Sequence, residues 1–133
     1  MEKLEHIGIA VKSLSVSIPL FEVLLNTSCY KEELVESEAV RTAFFAVNKQ
    51  KIELLESTDP EGIIAKFIER EGEGIHHIAF AVGDIQAEMK RLAAAGFILI
   101  NEKPRPGADN KLVCFLHPKN TNGVLIELCE NLA

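Results

Sequence analysis

The chain has 133 residues, 47% apolar and 26% charged, a length and balance that suit one compact globular unit or two small halves sharing a core and exclude disordered, collagen-like and fibrous classes. A formal net charge of −6 offers nucleic acid no general basic face. No apolar run approaches the ~18 residues of a membrane span, and the start MEKLEHIG lacks the plan of a signal peptide, so a cytoplasmic protein with no nucleic-acid or membrane partner is expected.

In chain order, alternation of apolar and polar positions makes Leu4–Val11 a strand. The stretch SLSVSIPLFEVLLNTS comes next as a helix to about Asn26, capped by Ser15 or Ser17, with Pro19 falling in its first turn. Three short apolar runs, CYKEELVES, RTAFFAV and KIELLES, read as strands. A helix over DPEGIIAKFIEREGEG, capped by Asp59 ahead of Pro60, connects the two halves of the chain. Then GIHHIAFAV is a strand, DIQAEMKRLAAAG is a helix started by Asp84 and stopped by Gly96, and FILIN, KLVCFLH and GVLIELCE are three more strands. The order βαβββ thus occurs twice in one α+β domain over 1–133: module one about 1–58, a connecting helix about 59–72, and module two about 73–133.

The duplication reaches single residues. His6 and His77 head the first strands of the two halves, and Glu53 and Glu127 hold the same place in the last strands. The separations, 53 − 6 = 47 and 127 − 77 = 50, differ by one short loop. Each Glu sits between apolar neighbours, so the two-residue strand period turns it to the opposite face. Duplication preserves apolar patterning readily, but gives no structural reason to keep both His and Glu in both copies. If those faces converge, His6, Glu53, His77 and Glu127 form a His2Glu2 donor set suited to a divalent cation of borderline hardness: cobalt, manganese, nickel or zinc. His76 competes with His77 but points to the other sheet face. Cys29, Cys114 and Cys129, odd in number and without CxxC spacing, read as small buried apolar residues rather than disulfide partners or zinc thiolates.

The paired strands HIGIAV and HIAFAV, with IELLE and LIELCE, resemble the vicinal oxygen chelate superfamily, which includes glyoxalases, bleomycin-resistance proteins and dioxygenases. The segment FLHPKNTNGVLIEL is similar to its methylmalonyl-CoA epimerases. The resemblance covers nearly the whole chain. It implies paired βαβββ modules forming a cupped, partly open mixed sheet around a divalent metal, cobalt first among the candidates, in a homodimer. By the same resemblance His6, His77 and Glu127 fall on metal ligands, and Glu53 on a fourth position where some members have Gln.

The implied reaction interconverts (2R)- and (2S)-methylmalonyl-CoA by removing and returning the α-proton through a metal-stabilised enolate. Glu127 is one base. For the second, Thr42 aligns with a catalytic Glu of some members and cannot itself serve as a carboxylate base, which leaves Glu53, Glu38 or a water held by Thr42. An acyl-CoA substrate needs a local basic patch on this acidic chain, and Lys103, Arg105, Lys111 and Lys119, on an ordered loop and near the last two strands, would supply it. Two other readings share the fold. A lactoylglutathione lyase would need glutathione-binding arginines, for which Arg41 is the one candidate before Arg70, and a non-enzymatic binding protein would need no metal ligands.

Overall fold

The computed structural model describes residues 1–132. It is α+β and divides into two compact units, one from His6 to His76 and the other formed by Met1–Glu5 with the segment from His77 onward. Among the described residues no helix is long and apolar enough to cross a membrane.

In the first unit, β1 (Lys3–Ala10), α1 (Leu14–Leu25), β2 (Lys31–Val35), β3 (Val40–Val47) and β4 (Gln50–Ser57) are followed by α2 (Ile63–Glu71). The strands lie in the order β2-β3-β4-β1; β1 runs parallel to β4 and the other neighbours are antiparallel. The β3–β4 hairpin turns at Asn48, one of the few residue types that tolerate its φ of 56°. One face of the ladder carries Ala43, Phe45 and Leu54 against Leu14 and, from the rest of α1, Ile18, Phe21 and Leu25. Burying Phe45 and Leu54, both fully covered, stabilises the unit by roughly 1.5–3 kcal/mol each. On the other face Ala10, Val40 and Leu55 pack against Ile64, Phe67 and Ile68 of α2.

Both helix starts in this unit differ from the sequence expectation. α1 begins one turn earlier, after Ser13, whose side chain makes no cap bond to the helix; the first amide, of Leu14, instead donates to the Glu56 carboxylate at 2.6 Å. Neither Ser15 nor Ser17 is the cap, and Pro19 sits inside the helix rather than in its first turn. The amide it lacks would have served the Ser15 carbonyl, and both residues are exposed. α2 begins after Gly62, not at Asp59. Asp59 shapes the preceding turn, accepting from Glu61 N–H through Oδ1 at 2.9 Å and from Gly62 N–H through its carbonyl at 2.9 Å.

The second unit repeats the plan with β5 (Gly74–Ala81), α3 (Ile85–Ala94), β6 (Arg105–Gly107), β7 (Lys111–Leu116) and β8 (Ile126–Asn131), in the order β5-β8-β7-β6. β5 and β8 are parallel, and the remaining pairs antiparallel. The start of β1 joins this unit, Glu2 N–H donating to Ala81 O at 2.8 Å. Ile85, Met89 and Leu92 of α3 pack on Cys114, Leu116 and Leu128. Asp84 caps α3 as expected, its Oδ1 accepting from Ala87 N–H at 3.1 Å, and Gly96 ends the turn beyond it at φ 99°. The first amide of α3, of Ile85, donates to the Glu130 carboxylate at 2.7 Å, the counterpart of the Leu14–Glu56 bond.

The expected FILIN strand does not form. Leu99 makes only an isolated bridge to Leu116, and the Asn101 side chain, not a strand backbone, accepts from Phe115 N–H at 2.9 Å. The strand beside β7 is β6, within the stretch expected to be a loop. It closes tightly because Gly107 has no Cβ; one placed there would lie 3.0 Å from Val113 Cγ1. The left-handed pair Asp109 and Asn110 then turns the chain into β7.

Candidate functional site

In the first unit the parallel register sets Gly8 directly across from Glu53 and His6 across from Lys51. Partners in a parallel ladder share a face, so His6, Gly8 and Glu53 all lie on the side away from α1. Gly8 has no side chain to occupy the ground in front of Glu53, and the carboxylate leans back along β1 to the imidazole, Oε1 3.3 Å from His6 Nε2. Both groups are buried. Phe44 of β3 stands across from Glu53 on its other side. Thr42, two residues earlier, is fully buried on the same face, and its hydroxyl donates to Glu33 O at 3.4 Å.

The second unit builds the same arrangement. Ala79 stands across from Glu127, and the buried His77 reaches the buried carboxylate diagonally, Nε2 to Oε1 at 3.1 Å. Phe115 of β7 stands across from Glu127 and meets the His77 ring edge to face, centroids 5.8 Å apart at 87°. In both modules, therefore, the His–Glu pair is framed by a small residue on the first strand and a phenylalanine on the third. Gly8, Ala79, Phe44 and Phe115 were missed by sequence reasoning. Their signal is a His-x-small pattern, HIG and HIA, which becomes meaningful only once register places the small residue before the carboxylate. His76 is half-buried and edge-on to Phe67, centroids 4.9 Å apart at 86°.

The cationic residues separate. Arg105 lies on β6 across from Val113, half-buried, rather than on a loop. Lys111 is buried at the start of β7, ion-paired with Glu5 at 3.7 Å and donating to Asn131 Oδ1. Lys103 is exposed, as is Lys119 on a short 3-10 turn (Pro118–Asn120) where the Lys119 amide donates to His117 Nδ1 at 3.0 Å. Glu5 went unnoticed because its partner is more than a hundred residues away in sequence.

Each His–Glu pair offers one imidazole nitrogen and one carboxylate oxygen, donor types that suit a divalent cation such as cobalt, manganese, nickel or zinc. The thiols are engaged elsewhere. Cys29 and Cys129 donate to Lys31 O at 3.4 Å and Phe80 O at 3.5 Å. Burial pushes the Cys114 thiol up, outweighing the opposing effects of the Asn101 hydrogen bond and the Arg105 charge, so it is a protonated packing group at neutral pH.

Comparison with known proteins places this geometry. The profile of the Glyoxalase/Bleomycin resistance protein/Dioxygenase superfamily matches residues 5–115. The chain is 36% identical over 129 residues to a mitochondrial methylmalonyl-CoA epimerase of Dictyostelium discoideum, covering 96% of this chain and 78% of that protein. It is 37% identical over 128 residues to an ethylmalonyl-CoA/methylmalonyl-CoA epimerase of Cereibacter sphaeroides, covering 95% and 96% respectively. A solved structure of a Streptomyces coelicolor methylmalonyl-CoA epimerase variant in complex with 2-nitronate-propionyl-CoA superposes with a TM-score of 0.96 at 30% identity, covering all of this chain and 99% of that one. The repeated βαβββ plan, the His–Glu pair in each copy and these matches agree: the chain belongs to the Glyoxalase/Bleomycin resistance protein/Dioxygenase superfamily, and methylmalonyl-CoA epimerases are among its relatives.

Proposed function

We propose that the chain is a metal-dependent methylmalonyl-CoA epimerase, with His6, Glu53, His77 and Glu127 as the ligands of one divalent cation, cobalt first among the candidates. The observation that carries this reading is the repetition of a buried His–Glu pair, with the same framing residues, in both modules. Bound there, a divalent cation supplies Lewis acidity to a thioester oxygen as negative charge develops on it.

The chain's own residues do the rest. The reacting carbon lies between a thioester and a carboxylate, and inversion requires a base on each side of it. Glu127 and Glu53 are the two carboxylates, one per module, and each takes or returns the proton at a carboxylate oxygen while its histidine fixes its orientation. Burial of both pairs keeps bulk water from competing for the carbanionic carbon. Thr42, its hydroxyl committed to Glu33 O, is a wall and orienting group for the substrate rather than a base. Arg105 and Lys119 bind the phosphates of coenzyme A, while Lys111, buried and with its charge balanced by Glu5, holds the start of β7 to β1.

The test is incubation of cobalt-loaded protein with (2R)-methylmalonyl-CoA in deuterated water. Appearance of the (2S) isomer bearing α-deuterium is expected. No exchange and no inversion, combined with turnover of the glutathione–methylglyoxal hemithioacetal, would overturn the proposal.

A further inference from the structure

Because the modules are duplicates, a departure of one from the other marks what the fold alone does not require. Phe115 follows Phe44 by 115 − 44 = 71 positions, the offset that also separates His77 from His6, whereas Glu127 follows Glu53 by 127 − 53 = 74. Three extra residues therefore lie between the phenylalanine and the carboxylate of module two. In module one the same stretch is a tight hairpin: β3 runs to Val47, Asn48 and Lys49 make the turn, and β4 follows at once. In module two β7 stops at Leu116 and β8 starts at Ile126, with residues 117–125 between them. The hairpin of module one closes without the longer connection, so the insertion points to function rather than to folding.

The inserted connection is held by its own hydrogen bonds. At its entry His117 N–H donates to Ile98 O at 2.7 Å, and at its exit Leu125 O accepts from Ile78 N–H, the residue after His77, at 3.1 Å. Between these ends Thr121 N–H and Gly123 N–H donate to Pro118 O at 3.1 and 2.9 Å, Val124 N–H donates to Thr121 O at 3.1 Å, and the Thr121 hydroxyl donates to Val124 O. Asn122 and Gly123, at φ 56° and 83°, supply the left-handed turn. What the connection presents is Lys119, which is exposed and, among the described residues, forms no ion pair, unlike Lys111. The Lys119 amide, at the start of the 3-10 turn, takes a side chain as its acceptor: His117 Nδ1, at 3.0 Å.

We propose that His117 is a positioning residue for the acyl-CoA: by holding the Lys119 amide it fixes the backbone from which the Lys119 ammonium reaches a coenzyme A phosphate. That ammonium is a point charge on a flexible four-carbon stem, so its aim depends on the backbone that carries it. Without the imidazole the turn loses its bond at that residue, and Lys119 must be ordered when the ligand arrives, at a cost in affinity. His117 therefore acts on binding and not on the proton transfers at Glu127 and Glu53. The inference rests on the phosphate-binding role of Lys119 proposed above.

Calorimetric titration of the full chain with coenzyme A, beside steady-state kinetics with (2R)-methylmalonyl-CoA, tests it. His117→Leu should weaken coenzyme A binding and raise KM by about 10-fold with kcat within about 2-fold, and His117→Asn, whose side-chain oxygen can take the place of Nδ1 as acceptor, should restore both. Should H117L fail to fold, the polar H117Q gives the same comparison, its amide lying one bond too far along the side chain. Lys119→Ala should lose at least about 10-fold in affinity, and adding His117→Leu to it should cost nothing further, because the imidazole acts only through Lys119; a merely structural histidine would cost as much in either background. Coenzyme A binding by H117L as tight as that of the wild type, failure of H117N to restore it, or additive losses in the double variant overturns the proposal and leaves the role of Lys119 standing. Binding unmoved by K119A removes that role and the proposal with it, while the deuterium assay decides the epimerase reading separately.

Discussion

Replacing Glu127 or Glu53 by Gln separates proton exchange from inversion. Each substitution is isosteric and keeps a hydrogen-bond acceptor facing its histidine, at 3.1 Å in one unit and 3.3 Å in the other. The charge is lost and the shape is kept, so a charge-assisted hydrogen bond becomes a neutral one at a cost of about 1 kcal/mol, a fall in Tm of roughly 3–5 °C for a chain of this size. Chemistry suffers more. Loss of a positioned general base lowers the rate ~10²–10⁴-fold, or ~2.7–5.5 kcal/mol of barrier. With the two carboxylates serving as proposed on opposite sides of the carbon, each variant should lose inversion by at least ~100-fold yet still wash the α-proton of one isomer into solvent, Glu127→Gln and Glu53→Gln favouring opposite isomers. The assay follows deuterium incorporation and chirality in parallel, at saturating cobalt with bound metal measured. Inversion at wild-type rates in both variants, with metal retained, would refute the assignment of these carboxylates as proton carriers.

The remaining predictions concern metal, helix and thiol. Removing metal with a chelator should abolish turnover, and restoring cobalt to 100 times its dissociation constant should stabilise the fold by about 2.7 kcal/mol, read as a rise in Tm; an unchanged Tm would speak against a bound cation. Asp84→Ala removes the side-chain cap of α3 and should cost about 1 kcal/mol in urea titration, with little effect on metal binding because the Ile85–Glu130 bond survives. Cys114 has its pKa raised in the fold, so it binds its proton more tightly folded than unfolded; the stability it contributes is complete below the unfolded thiol value and falls as pH rises through the folded one. Stability measured upward from about pH 8.5 should therefore decline less steeply in Cys114→Ala than in the wild type.

The site pairs were legible in the sequence because duplication supplied a control: His and Glu recurred at matching places, and the structure brings His6 to Glu53 and His77 to Glu127. What escaped was set by partners distant along the chain. FILIN has the alternation of a strand, yet Asn101 takes over the bond to Phe115 N–H, an exchange of side chain for backbone that periodicity cannot show. PRPG looked like a loop because proline is foreign to central strands, but β6 ends its ladder, where a missing amide goes unneeded. Lys111 was expected in a basic patch for an acyl-CoA and is buried because Glu5 waits for it on β1. The start of α1 was misplaced because its anchor is Glu56, forty-two residues on, not a neighbouring serine.

Glu53 and Glu56, like Glu127 and Glu130, are three apart on one extended strand, and so point to opposite sides: one toward a histidine, the other to the first amide of a helix. A slip of either strand by a single residue would forfeit both bonds at once, which makes the helix a brace against sliding of the carboxylate that meets the histidine. A copy of the βαβββ segment thus arrives with its own alignment gauge built in, and each half can keep its chemistry in position as the surrounding loops diverge.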